Sequence, residues 1–381
     1  CVADTRRCHP TTGVPQTCDG TSTWVNAAAC TGGNVCTAGA CACPAGSTSC
    51  GGTCVDLATS AAHCNACNHS CQGGLCVARQ CQAVRVAANA SGIAELVVVG
   101  ADVFFNEPGQ VWKVSNGLIT SFAAPAAGNT VERGLASDGT SLYWTRTDGT
   151  FRAAMRGALA GGGSGVLFGS TMGHLRTAGA SLFHIDATET IRRSSDNAIA
   201  SNGKTLNRAN DIGAIMRQPY FAEPGRVFYF TFPVGGTEEI HQYVVGSGDQ
   251  LLYSTTADVR SITTDGTNVY FGTYPGLARI PVSATSTTAQ PLDAGPTGSV
   301  MRVLVDGTDV YWMTVTWGTQ GGCVNTKIVK QPKSGTTSQV LSSTDSRCGK
   351  DMVMDGNSVY WSMSASCCTV SAEDVIMKVA K

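Results

Sequence analysis

The chain has 381 residues and 18 cysteines, fourteen of them within residues 1–81 and four in the remaining 300. Formal net charge is −1, only 14% of residues are charged, and no basic cluster exists. A surface built to neutralise nucleic-acid phosphates is therefore excluded. No run of 18 apolar residues is present, so no helix spans a membrane. Abundant Gly, Ser, Thr and Ala describe an uncharged polar surface, not a disordered chain.

The first 81 residues hold one aromatic, Trp24, and neither Lys nor Glu. Such a segment cannot bury a large core and needs covalent links. Its cysteines parse into a six-cysteine module over 1–42 (Cys1, Cys8, Cys18, Cys30, Cys36, Cys41) and an eight-cysteine module over 43–82 (Cys43, Cys50, Cys54, Cys64, Cys67, Cys71, Cys76, Cys81). Both counts are even, so three and four disulfides close every thiol, with connectivity open. Clustered disulfides require an oxidising compartment, and the chain reads as exported, with its first residue at a mature end. Parity favours Cys1 in a disulfide; a lipid anchor on Cys1 is the alternative. Cys64-Asn-Ala-Cys67 with His63 and His69 suggests zinc, but the crowding of other cysteines favours disulfides. Asn68 follows Cys67 where a c-type haem needs His.

The run Cys50-Gly-Gly-Thr-Cys54-Val-Asp-Leu, then Cys64-Asn-Ala-Cys67, Cys71, Cys76 and Cys81, resembles the Stig1-type cysteine-rich module of myxobacterial secreted proteins. Pro15-Gln-Thr-Cys18-Asp-Gly-Thr, Trp24 and Ala29-Cys30 resemble the segment that often precedes it. Members usually read Cys-Gly-Ala-Cys-Gly where this chain has Asn65 and Asn68. The resemblance implies export and a disulfide-bonded spacer or docking module, and no catalysis.

From residue 83 onward a repeat governs the sequence. Aromatic pairs recur as Phe104-Phe105, Tyr143-Trp144, Phe183-His184, Phe228-Tyr229, Tyr270-Phe271, Tyr311-Trp312 and Tyr360-Trp361. Gly precedes each pair in a turn (Gly100, Gly139, Gly179, Gly266, Gly307, Gly356), with Gly225 one residue off register. Gly100 to Gly356 takes six steps, a mean period of about 43, which is the length of a four-stranded propeller blade. Asp-Gly steps at 138, 265, 306 and 355 suit a type I′ hairpin turn. Third strands follow at Gln110–Lys113, Thr190–Arg193, Leu277–Arg279, Lys327–Lys330 and Val375–Lys378. Their recurrent Lys or Arg reads as a solvated position, the aromatic pairs as packing between blades. One carboxylate per turn makes no calcium cage.

The expected fold is all-β: a seven-bladed β-propeller over 83–381, six-bladed as runner-up, preceded by a small disulfide-rich N-terminal region. Residues 83–87 form an orphan strand that would complete the last blade and remove its exposed edge. The Asp-Gly-Thr and Tyr-Trp pattern resembles YWTD-like and NHL-like propellers, at the level of fold alone. Cys323 with Cys348, and Cys367 with Cys368, are the preferred local bridges in the last two repeats; the alternative joins Cys323 and Cys348 each to one of the adjacent pair. The segments Thr314–Asn325 and Ser362–Glu373 are candidate recognition loops.

No catalytic motif or cofactor signature is present. The function expected is a non-enzymatic exported surface or extracellular binding or scaffold protein. It would take a protein or glycan ligand and could self-assemble into an array or filament through the arm. The alternative is a lyase-like or dehydrogenase-like propeller enzyme, which would gather His174, His184 or His241 with carboxylates in the central channel.

Overall fold

The computed structural model describes residues 1–89, 92–124, 130–149, 152–169, 171–186, 190–194, 219–231, 236–283, 288–293, 298–318, 322–364 and 373–381. Among these every regular element is a strand. The chain divides into two compact units, Cys1–Val84 with Ala380, and Arg85–Val379 with Lys381.

The first unit is built of short ribbons: a three-stranded sheet (Arg6–Cys8, Pro15–Cys18, Trp24–Asn26) and three two-stranded hairpins. Its disulfides join Cys1–Cys18, Cys8–Cys36 and Cys30–Cys41, then Cys43–Cys54, Cys50–Cys67, Cys64–Cys76 and Cys71–Cys81. No bridge crosses from residues 1–42 to 43–82. The two halves meet through backbone: Cys54 N–H donates to Gly32 O at 2.7 Å. Gly32 has φ +63°, and a Cβ there would lie 2.3 Å from Gly52 O, so only glycine fits that approach. The lone aromatic, Trp24, is covered by the Arg7 guanidinium at 4.2 Å.

Among the described residues the second unit contains seven consecutive sheets. Sheet one comprises Leu96–Val99, Asp102–Glu107, Gln110–Ser115 and Leu118–Ala123. Sheet two comprises Thr130–Ser137, Ser141–Thr147, Arg152–Ala158 and Ser164–Gly169. Sheet three, with three described strands, comprises Thr171–Ala178, Ser181–Asp186 and Ile191–Arg193. Sheet four runs Tyr220–Glu223, Arg226–Thr231, Glu238–Val244, Gly248–Thr255; sheet five Ser261–Thr264, Asn268–Thr273, Gly276–Pro281, Gln290–Asp293. Sheet six runs Ser299–Val305, Asp309–Trp317, Cys323–Pro332, Gln339–Asp345. Sheet seven takes Cys348–Met354, Ser358–Ser364 and Asp374–Ala380 from the end of the chain, and its outer strand is Val84–Asn89. The first strand of each sheet contacts the first strand of the next, and Leu96–Val99 contacts Cys348–Met354, which closes the circuit.

The aromatic pairs explain the stacking. Adjacent residues of a strand point to opposite faces, so each pair serves two junctions. Phe105 packs with Tyr360 and Ile376 of sheet seven, whereas Phe104 packs with Leu135 and Trp144 of sheet two. Tyr229 packs against sheet three and Phe228 against sheet five. All fourteen positions are buried. Disulfide Cys323–Cys348 joins sheet six to the start of sheet seven; Cys367 and Cys368 lie outside the described residues.

The structure changes three local expectations. The type I′ assignment fails: Gly139 and Gly266 have φ +85° and +83°, but the aspartates before them are not in the left-handed region. Each Asp instead closes the strand; Asp265 N–H donates to Asn268 O at 3.2 Å. Its carboxylate then folds over the turn, accepting from Thr267 N and Asn268 N at 3.0 and 2.8 Å, an Asx turn that suits ordinary φ. The third-strand cations are half-buried, not solvated. Lys113 pairs with Asp102 at 2.7 Å, and Lys330 with Asp309 at 3.4 Å, because a long stem can lie along the sheet while its head meets an acid. Of the expected loop Thr314–Asn325, residues 314–317 and 323–325 are paired strand and 319–321 lie outside the described residues. Of Ser362–Glu373, residues 362–364 are strand and 365–372 lie outside the described residues.

The turn aspartates also receive the repeat tyrosines. Tyr143, Tyr270, Tyr311 and Tyr360 donate to the Asp five residues earlier at 2.7, 2.9, 3.1 and 2.9 Å. Burial pushes the Asp138 carboxyl up, but bonds from Tyr143, Thr140 and Ser141 outweigh it and hold it at about 2. Asp265 is likewise held at about 2 against its burial, with Lys333 adding to the backbone donors. Burial, then the bond to Asp355, pushes Tyr360 up to about 12. Because these carboxyls are depressed in the fold, their stabilisation is complete above the unfolded value of about 4 and is lost as pH falls toward 2. Thermal melts of the full chain between pH 5 and 2 should show a falling midpoint, and the Asp138→Asn, Asp265→Asn double variant a shallower fall. Parallel curves would remove this account.

Candidate functional site

The seven first strands surround a cavity of about 430 Å³ to which every sheet contributes. Both faces of an inner strand pack against neighbouring sheets, Leu96 and Val98 toward sheet seven and Val97 toward sheet two, so consecutive residues line the cavity. The wall is mainly aliphatic, with Leu96, Val98, Leu135, Leu304 and Met352 among its members, and Phe221 adding an aromatic face. Its polar part consists of Glu95, Arg176, Asp351, Ser137 and Thr177, Thr263 and Thr264.

Most of that polar set holds one sheet to the next. Glu95 Oε2 accepts from Gly134 N and Leu135 N of sheet two at 2.6 and 2.7 Å. Thr177 Oγ1 donates to Ser137 O at 2.6 Å, joining sheets three and two. Asp351 Oδ2 accepts from Leu96 N at 2.8 Å, joining sheet seven to sheet one. Its other oxygen accepts from Arg302 Nε of sheet six at 2.9 Å, and both side chains are nearly buried. The remaining junctions have equivalents away from the wall. The Tyr220 hydroxyl donates to His174 O, Val259 N donates to Glu238 at 2.7 Å, and Val303 N donates to Ser261 Oγ at 3.1 Å. Gly349 N donates to Thr326 Oγ1 at 2.9 Å. Arg176 stands apart: its Nη1 donates to Leu175 O at 2.7 Å, and it forms no ion pair with any described residue.

None of the three propeller histidines lines this cavity. His184 is buried against Phe168 at 4.3 Å between ring centroids, and burial pushes its pKa down to about 4, leaving it neutral near pH 7. His174 has φ +54° and is half-buried. His241 stacks on Tyr229, with Nδ1 3.0 Å from Asp249 and Nε2 3.1 Å from Glu239. That group does reach acids, but in the body of sheet four. In the first unit, Cys64, Cys71 and Cys81 come close enough to suggest a metal, yet each sulfur is already in a disulfide. His63 and His69 use Nδ1 on Asn68 N and Cys64 O. The cavity residues escaped sequence reading. The one trace lies beside them, where Arg302, the partner of lining Asp351, breaks the apolar run Ser-Val-Met-Arg-Val-Leu-Val.

No protein-family model matches the chain, and no curated protein matches it by sequence. Solved structures match at the level of fold. YCF48 from Cyanidioschyzon merolae is 12% identical with TM-score 0.52, over 78% of this chain and 98% of that one. The β-propeller domain of the Trilobed protease from Pyrococcus furiosus is 8% identical with TM-score 0.52, over 77% and 94%. Pyrococcus horikoshii acylaminoacyl peptidase is 7% identical with TM-score 0.52, over 77% of this chain and 51% of that one. The second unit is therefore a β-propeller, and at these identities the likeness extends to fold only.

The buried Arg302–Asp351 pair gives a direct test of the inner rim. Asp351→Ala removes the carboxylate partner of a buried guanidinium, which keeps Met301 O, and the acceptor of Leu96 N–H, and should cost about 3–5 kcal/mol. Adding Arg302→Met should recover most of that loss in urea unfolding of the full chain; equal destabilisation by the single and double variants would sink the assignment.

Proposed function

We propose that the chain is an exported, non-enzymatic binding or scaffold protein in which a disulfide-stapled arm carries a seven-bladed propeller. The observation that carries this reading is the use made of the cavity's ionic groups. Glu95 and Asp351 are spent on backbone N–H groups and on Arg302, which gives rigidity and leaves neither acid poised for proton transfer. Export is supported by seven disulfides among fourteen cysteines. With the Cys1 sulfur bonded to Cys18, anchoring through that sulfur would require breaking the bridge.

The Stig1-type reading of residues 43–82 gains a physical argument. The two positions where members carry Gly, Asn65 and Asn68, both have left-handed backbone, φ +65° and +64°. Asn is the side chain that most readily replaces Gly there. Asn68→Gly should refold oxidatively as the parent does, whereas Asn68→Val should cost about 1–2 kcal/mol and slow recovery of the native disulfide set, read by peptide mapping. Equal recovery of both variants would count against this role.

The function itself is tested with labelled full-length chain added to whole cells of the producing organism. Saturable binding at the cell exterior, lost on mild reduction of the arm, is expected, together with assembly beyond a monomer in light scattering. A strict monomer at high concentration removes the array; turnover of a small substrate abolished by a cavity variant replaces the whole reading with the enzymatic one.

A further inference from the structure

We infer that the central cavity is a site for a small organic monoanion: a carboxylate on an apolar body, held by Arg176. The inference deepens the binding reading above and rests on it. Arg176 is half-buried in the cavity wall and has one backbone acceptor, Leu175 O. It is the one lining cation, and it pairs with no described acid. A guanidinium offers five N–H donors in a planar fork, so most of its capacity is unspent. Removing such a group from bulk water is unfavourable unless a partner supplies acceptors.

The two lining carboxylates do not fill that role. Glu95 is turned to the backbone of sheet two, and Asp351 to Leu96 and Arg302. The partner must therefore come from outside, and its chemistry is bounded by the wall. Val98, Phe221, Leu304 and Val305, all half-buried, ask for hydrocarbon or an aromatic ring. A volume of about 430 Å³ suits a small ligand. One lining cation balances a monoanion and leaves a dianion such as a phosphate monoester half neutralised, and a carboxylate meets the fork bidentately.

The test uses the full chain and three probes of one shape: phenylpropionate, phenylpropanol and phenylpropylamine. Calorimetry should show the acid binding at least about tenfold more tightly than the alcohol or the amine, the scale of one charge-assisted pair. Arg176→Gln should bring the acid down to the alcohol's affinity and leave the alcohol unchanged. Should that variant fail to fold, the unaltered chain still decides: phenylpropionate must shield Arg176 from phenylglyoxal, mapped by peptide mass spectrometry, and phenylpropanol must not. Equal affinity for acid and alcohol, or no shielding, overturns the inference while the macromolecular scaffold reading stands. Binding of the acid followed by its chemical conversion, seen by NMR, upholds carboxylate recognition and overturns the non-enzymatic reading.

Discussion

A ring of sheets has a difficulty that a single sandwich lacks: at or beside several inner strands, backbone N–H groups point to the neighbouring sheet. Left without acceptors in a dry interior they would be strongly destabilising. The chain meets this with side-chain acceptors reaching across the junction. Glu95 serves Gly134 and Leu135, Asp351 serves Leu96, Asp374 serves Ile93 at 2.7 Å, Glu238 serves Val259, and Ser261 serves Val303. Each bond fixes the height of one inner strand against the next. With that registration set, the aromatic pairs behind the inner strands meet in complementary positions, and the Asp–Tyr pairs close the turns.

The same devices shape the cavity. Packing between sheets uses both faces of an inner strand, so the centre is left with the strand edges and the exposed parts of their side chains, which are mostly aliphatic. Acids that would otherwise make the cavity reactive are drawn to its wall as hydrogen-bond acceptors. Stability and chemistry thus compete for the same carboxylates, and in this chain stability has them. Arg176 is conspicuous because it takes no part in that arrangement; His241, which does sit between two carboxylates, lies inside a sheet.

Legibility in the sequence followed the range of each interaction. The period of about 43, the aromatic pairs and the second and third strands depend on contacts within one repeat, and each left a pattern that recurs. The outer strand from Val84 onward was legible because an unpaired strand beside an incomplete last repeat has few other uses. The turn aspartates were misassigned because Asp-Gly reports a turn without reporting which residues form its centre; the Tyr five residues on, bonded to the same carboxylate, was the discriminating sign. The inner-rim bonds were hidden for another reason. Leu135 lies 40 residues from Glu95, and Val303 lies 42 from Ser261, about one period each, so donor and acceptor stand at equivalent places in successive repeats and differ in residue type at every junction.

The cysteine-rich unit solves its stability problem without any of this. It has no aromatic beyond Trp24, and Cys18, Cys64, Cys71 and Cys81 are themselves its most buried apolar groups. Bridges of this kind act largely by restricting the unfolded chain, so they tolerate irregular backbone that packing alone could not hold. That tolerance is visible in the number of non-glycine residues with left-handed φ between Asp4 and Arg79. It also explains how Asn can stand at 65 and 68: the bridges from Cys64 and Cys67 impose the turn, and Asn meets it at little cost. Glycine-to-asparagine drift at such positions is therefore a weak departure from a family pattern, whereas loss of either flanking cysteine would be a decisive one.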